Sequence, residues 1–180
     1  MSKGPNRWIG WSCLLLLTAI PSAVSGQGAD EYDVKAAFLY NFTKFIEWPQ
    51  AANAAFAICI LGDDPFGTTI DRLVNGKTAL GKPFQVRRIK EPADAKQCQL
   101  AFISSIEKSK EPKLVEAVGE SAVLTVGETK DFLNKGGMIF LSMEESNVSI
   151  VINTTATDKA RLKISAKLMT LAKVFKGGGK

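Results

Sequence analysis

Residues 55–61, AFAICIL, decide the fold: they are seven consecutive apolar positions stopped by Gly62, too short for a membrane span and too continuous for a strand with one wet face. Such a run suits a strand covered on both faces, the usual setting of a parallel sheet. Downstream, Gly62-Asp63-Asp64-Pro65-Phe66-Gly67 reads as a turn into a short helix over 68–74, ended by Asn75-Gly76. Residues 84–89 alternate as a strand, and 100–103 form another apolar strand ending at Ser104-Ser105. A helix over 113–118, a strand over 122–126 and one or two helical turns over 128–134 follow. Strands over 138–142 and 148–152, joined by the link 143–147, pair as a hairpin. Asn153 and the threonines after it cap a last helix, with Ala160, Ile164, Leu168, Leu171 and Phe175 on one face and a solvated stripe of Lys159, Lys163 and Lys167. The pattern predicts a single-domain α/β sandwich: a mainly parallel sheet, a C-terminal antiparallel hairpin and helices on both faces.

Upstream of the deciding run, residues 31–49 (EYDVKAAFLYNFTKFIEWP) predict an aromatic helix with Asp33 as N-cap and Pro49 as its stop. Val34, Phe38 and Phe45 share one face, and Leu39, Phe42 and Ile46 a neighbouring one. That arc is wider than one sheet covers. Two readings follow: the helix is buried between the core and neighbouring segments, or Leu39, Phe42 and Ile46 face a partner protein or a second copy of the chain.

Residues 1–26 have the layout of a cleaved signal peptide: Lys3 and Arg7, an apolar run from Trp8 to Ile20, Pro21, then small residues. Cleavage is expected after Ser25 or Gly26, with Ala29 as the alternative. The apolar run is too short to span a membrane, and no later segment approaches the ~20 residues required. Export leaves residues 27–180 as one domain with 21 basic and 18 acidic residues. The positive residues are spread along the chain rather than gathered in a run with interleaved aromatics, which argues against nucleic acid as a partner.

Removing Cys13 with the leader leaves Cys59 and Cys98, 39 residues apart. In an oxidising compartment such a pair usually bonds, and two separately buried thiols are the alternative. Histidine is absent from the chain. That removes Ser-His-Asp and Cys-His catalysis and any imidazole acid or base, and two cysteines alone make a poor zinc site. Ser165-Ala166-Lys167 is too short for S-x-x-K, and Asn75-Gly76-Lys77-Thr78 fails as a P-loop because Asp71 stands where its first glycine belongs. No enzyme activity and no cofactor are therefore expected. One constellation invites a ligand: the loops at Gly62-Asp63-Asp64, Ser104-Ser105 and Gly127-Glu128 should fall along one sheet edge, where open α/β sheets bind ligands. Asp63, Asp64, Ser104 and Glu128 are the crevice candidates, although Asp-Asp-Pro is also ordinary turn chemistry.

Four blocks resemble the YfiR family of exported bacterial proteins: KAAFLYNFTKFIEWP (35–49), ICILGDDPFG (58–67), GGMIFL (136–141) and VINTTATDKARLKISAKLMTLA (151–172). The resemblance implies a periplasmic α/β repressor that binds the periplasmic sensor region of an inner-membrane diguanylate cyclase of the YfiN type, holding cyclic di-GMP synthesis down. It also implies that Cys59 and Cys98 form a disulfide coupling envelope redox state to folding. The second cysteine pair of some members is missing here.

Overall fold

Apart from Met1, the computed structural model describes residues 27–49, 54–144 and 147–177. The expected leader and its expected cleavage after Ser25 or Gly26 lie outside the described residues. Helix α1 (Gln27–Phe45) leads into a two-residue strand β1 (Ile46–Glu47), and the deciding run becomes β2 (Phe56–Leu61) with every residue buried. Then come α2 (Thr69–Val74), β3 (Thr78–Ala79), β4 (Lys82–Ile89), a 3-10 segment (Pro92–Gln97) and β5 (Leu100–Ile103). A 3-10 segment (Ser105–Lys110) runs into α3 (Glu111–Val118), followed by β6 (Leu124–Gly127), a 3-10 turn (Lys130–Phe132), β7 (Ile139–Glu144) and β8 (Asn147–Asn153). The chain closes with α4 (Thr154–Lys159), β9 (Lys163–Ile164), α5 (Ala166–Leu171) and β10 (Lys173–Phe175).

Eight strands form one sheet in the order β10-β8-β7-β6-β5-β2-β4-β3. Pairing is parallel from β4 through β2, β5 and β6 to β7, and again between β8 and β10; β3–β4 and the β7–β8 hairpin are antiparallel. The sheet is mainly parallel, with a C-terminal hairpin, as the alternation of elements predicts. Period two along β2 divides its side chains. Phe56, Ile58 and Ile60 join the core under α1, whereas Ala57, Cys59 and Leu61 join a second core with Leu114, Val118 and Phe132 on the other face. Helices thus cover both faces, and a β2 buried on both sides explains why its sequence never alternates.

Cys59 and Cys98 are bonded inside that second core, with Cα atoms 6.0 Å apart. The partner strands are already neighbours here, since Gln99 N–H donates to Ala57 O at 3.0 Å and Ala57 N–H to Gln99 Oε1 at 2.7 Å. Trp48 closes the far end of α1 over this junction, donating from Nε1 to Gln99 O at 3.1 Å and stacking edge-on against Phe56.

Three expectations are corrected. First, α1 stops at Phe45, because Ile46 and Glu47 leave it to pair antiparallel with Ile164 and Lys163; it also begins at Gln27, so Asp33 lies within the helix rather than capping it. Second, Leu39, Phe42 and Ile46 are not an outer face. They are 0%, 0% and 3% exposed, because α2 and α5 flank α1 and, with the sheet, cover an arc too wide for the sheet alone. Third, the continuous last helix does not form. Asn153 caps α4 as expected, its side chain accepting from Ala156 N–H at 3.1 Å, but Arg161 adopts a left-handed φ of 58°, which ends the helix. Ser165 then caps a separate α5, accepting from Leu168 N–H. The lysine stripe is accordingly divided among α4, β9 and α5.

Candidate functional site

Strands β2, β5 and β6 are adjacent and parallel, so their carboxyl ends bring Gly62-Asp63-Asp64, Ser104-Ser105 and Gly127-Glu128 to one edge. Chain order reverses between β2 and β5, because β4 lies on one side of β2 and β5 on the other. This is the switch point at which open α/β sheets leave a crevice. Here the chain fills that crevice with its own carboxylates. Glu107, from the segment after β5, lies over Gly62 and accepts from Asp63 N–H at 3.2 Å; Lys110 holds its other oxygen at 2.9 Å. Gly62 has φ +81°, and a Cβ there would collide with the Glu107 carboxyl group, so only glycine admits this approach. The Lys110 ammonium, and then the Asp63 N–H, hold the Glu107 carboxyl below the usual carboxylate range.

Glu128 does the same one strand over. It accepts from Ser105 N–H at 2.9 Å, from Lys35 Nζ at 2.5 Å and from Tyr32 O–H at 3.3 Å. The Lys35 and Glu128 side chains are each only 4% exposed, and Lys35 is also paired with Glu31 one helical turn earlier. The first turns of α1 are thereby tied to the end of β6, with the Tyr32 ring edge-on to Phe66 at 5.5 Å. Burial, reinforced by the Glu128 charge, raises the Tyr32 phenol far above its ordinary value, so it stays a neutral donor.

Asp64 is spent on structure: one oxygen accepts from Phe66 N–H at 2.8 Å in a side-chain turn, the other from Arg88 Nε at 2.8 Å. Arg88 also grips both oxygens of Asp71, at 2.8 and 2.5 Å, and this bond lowers the Asp71 carboxyl. Asp63 is exposed, and Ser104 is 1% exposed with a hydroxyl that has no hydrogen-bond partner. A hollow of about 400 Å³ lies elsewhere, at the opposite edge between Val118, Thr125, Met138 and Asn153. None of the four crevice candidates lines it.

Sequence reasoning missed Lys35, Tyr32, Glu107, Arg88 and the fully buried Glu111, which accepts from Thr129 Oγ1 at 2.6 Å and from Lys135 Nζ at 2.8 Å. A signal for Lys35 existed. It stands four residues before Leu39 and seven before Phe42, on the helix's apolar stripe, and a lysine there must find a buried anion.

Two comparisons bear on this architecture. The family model described as YfiR/HmsC-like matches residues 32–173, from Tyr32 of the crevice network to the first residue of β10. The chain belongs to the YfiR/HmsC-like family. A crystal structure of a conserved domain protein from Vibrio cholerae O1 biovar El Tor strain N16961 is similar to this YfiR/HmsC-like chain, with a TM-score of 0.53 and 11% identity, and shows a common fold alone. The alignment covers 81% of this chain and 60% of that one. No curated protein matches. Among the described residues, no helix is long and apolar enough to cross a membrane.

Proposed function

We propose that this chain is a non-enzymatic periplasmic regulator, exported by a cleaved signal peptide, that binds the periplasmic sensor region of an inner-membrane signalling protein and represses diguanylate cyclase output. The observation that carries this reading is the YfiR/HmsC-like match across residues 32–173. The crevice supports it: Glu107 and Glu128 occupy the backbone N–H groups a small anion would otherwise use, leaving protein binding as the better use of the surface. The buried Cys59–Cys98 bond supports a redox link, because its reduction would loosen the core rather than unmask a reactive surface. The test is co-purification from envelope membranes together with cyclic di-GMP measurement. Removal of the chain should raise cyclic di-GMP and the chain should retain a membrane cyclase or sensor; unchanged cyclic di-GMP with no membrane protein retained refutes the reading.

A second reading, a small-molecule-binding protein, is favoured by the unpartnered buried hydroxyl of Ser104, at the same sheet edge as Asp63, Asp64 and Glu128. A metabolite that raises the melting temperature of the wild type but not of Ser104→Ala supports it, and no such metabolite in an envelope extract counts against it.

A further inference from the structure

Charge is distributed unevenly along the exported chain. Residues 27–153 carry fourteen lysines and arginines against seventeen acidic residues, whereas residues 154–180 carry seven against Asp158 alone. Where described, the basic residues of this last segment, Lys159, Arg161, Lys163, Lys167, Lys173 and Lys176, are all exposed. They border the least finished part of the sheet. Strand β10 pairs only with Val151–Asn153 of β8, so among the described residues no strand lies beside Val148–Ile150 on that side, where a hollow of about 480 Å³ is lined by Glu144, Val148, Ile150, Leu171 and Lys173. Leu171 is 65% exposed and Val174 46%, two of the few large apolar side chains left in solvent among the described residues.

These features meet at one edge of the sheet. Lys167 and Leu171 are one helical turn apart on α5, Leu171 and Lys173 line the same hollow, and Val174 follows on the edge strand with its side chain on the opposite face from Lys173, so the two flank the edge. Two acidic residues lie nearby: Glu144 lines the same hollow and faces Lys130 at 3.7 Å, and Glu47 lies opposite Lys163 in the β1–β9 pair. Lys167 keeps its charge in the open over the Phe45 ring, 5.2 Å from its centroid.

We infer that the α5–β10 edge, carrying Lys167, Leu171, Lys173, Val174 and Lys176, docks edge-on against an anionic lipid surface. The lysines meet the headgroups, and Leu171 and Val174 enter the interface between them. Dispersed, mobile cations around a small exposed apolar tip fit a fluid array of negative headgroups, where each basic residue near the surface adds attraction without a fixed partner. Lysine is a compact charge on a flexible stem rather than the planar fork that matches a fixed carboxylate, which favours a fluid headgroup array over an acidic protein here. The inference is independent of the cyclase reading, since it concerns lipid alone.

The test is co-sedimentation of the purified exported chain with vesicles of phosphatidylethanolamine and phosphatidylglycerol, and with neutral phosphatidylcholine vesicles. Binding should require phosphatidylglycerol and be lost at high salt. Lys167→Gln with Lys173→Gln should weaken it roughly 25-fold, at about fivefold per lysine. Lys108→Gln with Lys113→Gln, elsewhere on the surface, should leave it within twofold, an on-the-order-of-RT effect for screened charges. Leu171→Ser should weaken it without changing the circular dichroism spectrum. Equal binding to neutral vesicles, equal loss from the control lysines, or no vesicle binding by the folded wild type each overturns the proposal. So does loss, in the Lys167/Lys173 variant, of binding to a membrane protein in detergent while vesicle binding is unchanged.

Discussion

The carboxyl edge of β2, β5 and β6 and the outer edge at β8 and β10 belong to one sheet and are finished in opposite ways. At the first, nearly every polar group has an internal partner: Glu107 takes Asp63 N–H, Glu128 takes Ser105 N–H, Tyr32 and Lys35, and Arg88 takes Asp64 and Asp71. At the second, β10 pairs with only three residues of β8, Leu171 and Val174 stand in solvent, and Lys167 and Lys173 are exposed. A sheet end that is usually a ligand site is here tied into the fold by its own side chains.

Two apolar residues should distinguish the two edges most sharply. Phe42→Asp places a charge in the core under α1, where loss of the ring alone costs about 3–5 kcal/mol, so the variant should not fold. Leu171→Asp, at the open edge, should give a wild-type circular dichroism spectrum. A folded Phe42→Asp would mean that α1 is not the core element described here.

Next in size is the disulfide that ties β2 to the entry of β5. Cys98→Ser should lower unfolding free energy by about 4 kcal/mol, from the closure entropy of a loop of this length, and shift the urea midpoint down. A midpoint unchanged from wild type would show that the bond adds nothing to the core around Phe132 and Leu114.

Removing one member of the buried pair at the carboxyl edge should cost about 3 kcal/mol, because Lys35→Met strands Glu128 without its cation. The double variant Lys35→Met with Glu128→Leu should recover a large part of that loss. Equal stability of the two variants would mean that Glu128 is satisfied by Ser105 and Tyr32 without Lys35.

The smallest effect is acid sensitivity at Asp71, whose carboxyl is held low by Arg88. Its folded-state value lies below its unfolded one, so the α2–β4 tie contributes fully above the ordinary carboxylate range and is lost as pH falls through the lowered value. Asp71→Asn should therefore flatten the fall in stability at acid pH relative to wild type. An identical acid limb in the two proteins would place the effect elsewhere.

The strands were legible because their signal is local. The apolar runs at 56–61 and 100–103 are bounded by glycine or serine, and they need only burial on both faces to be strands. The C-terminal segment misled because its helical period is real but interrupted: Arg161 turns left-handed and Ser165 starts again, while Ile164 and Phe175 are claimed by β1 and β8. Tertiary pairing overrode periodicity there. At the crevice, the meeting of the three loops follows from parallel strand order, but their occupation by Glu107 and Glu128 depends on contacts across 44 and 23 residues that no short pattern encodes.

The most direct test of this account adds the purified chain to inner membranes carrying the cognate diguanylate cyclase and measures cyclic di-GMP synthesis. Wild type should repress synthesis, and Glu128→Gln, which keeps the crevice filled while removing its charge, should repress it equally as long as it stays folded. Synthesis unaffected by the wild-type chain would contradict the regulatory reading. Repression lost in a folded Glu128→Gln would contradict the assignment of the crevice to structure.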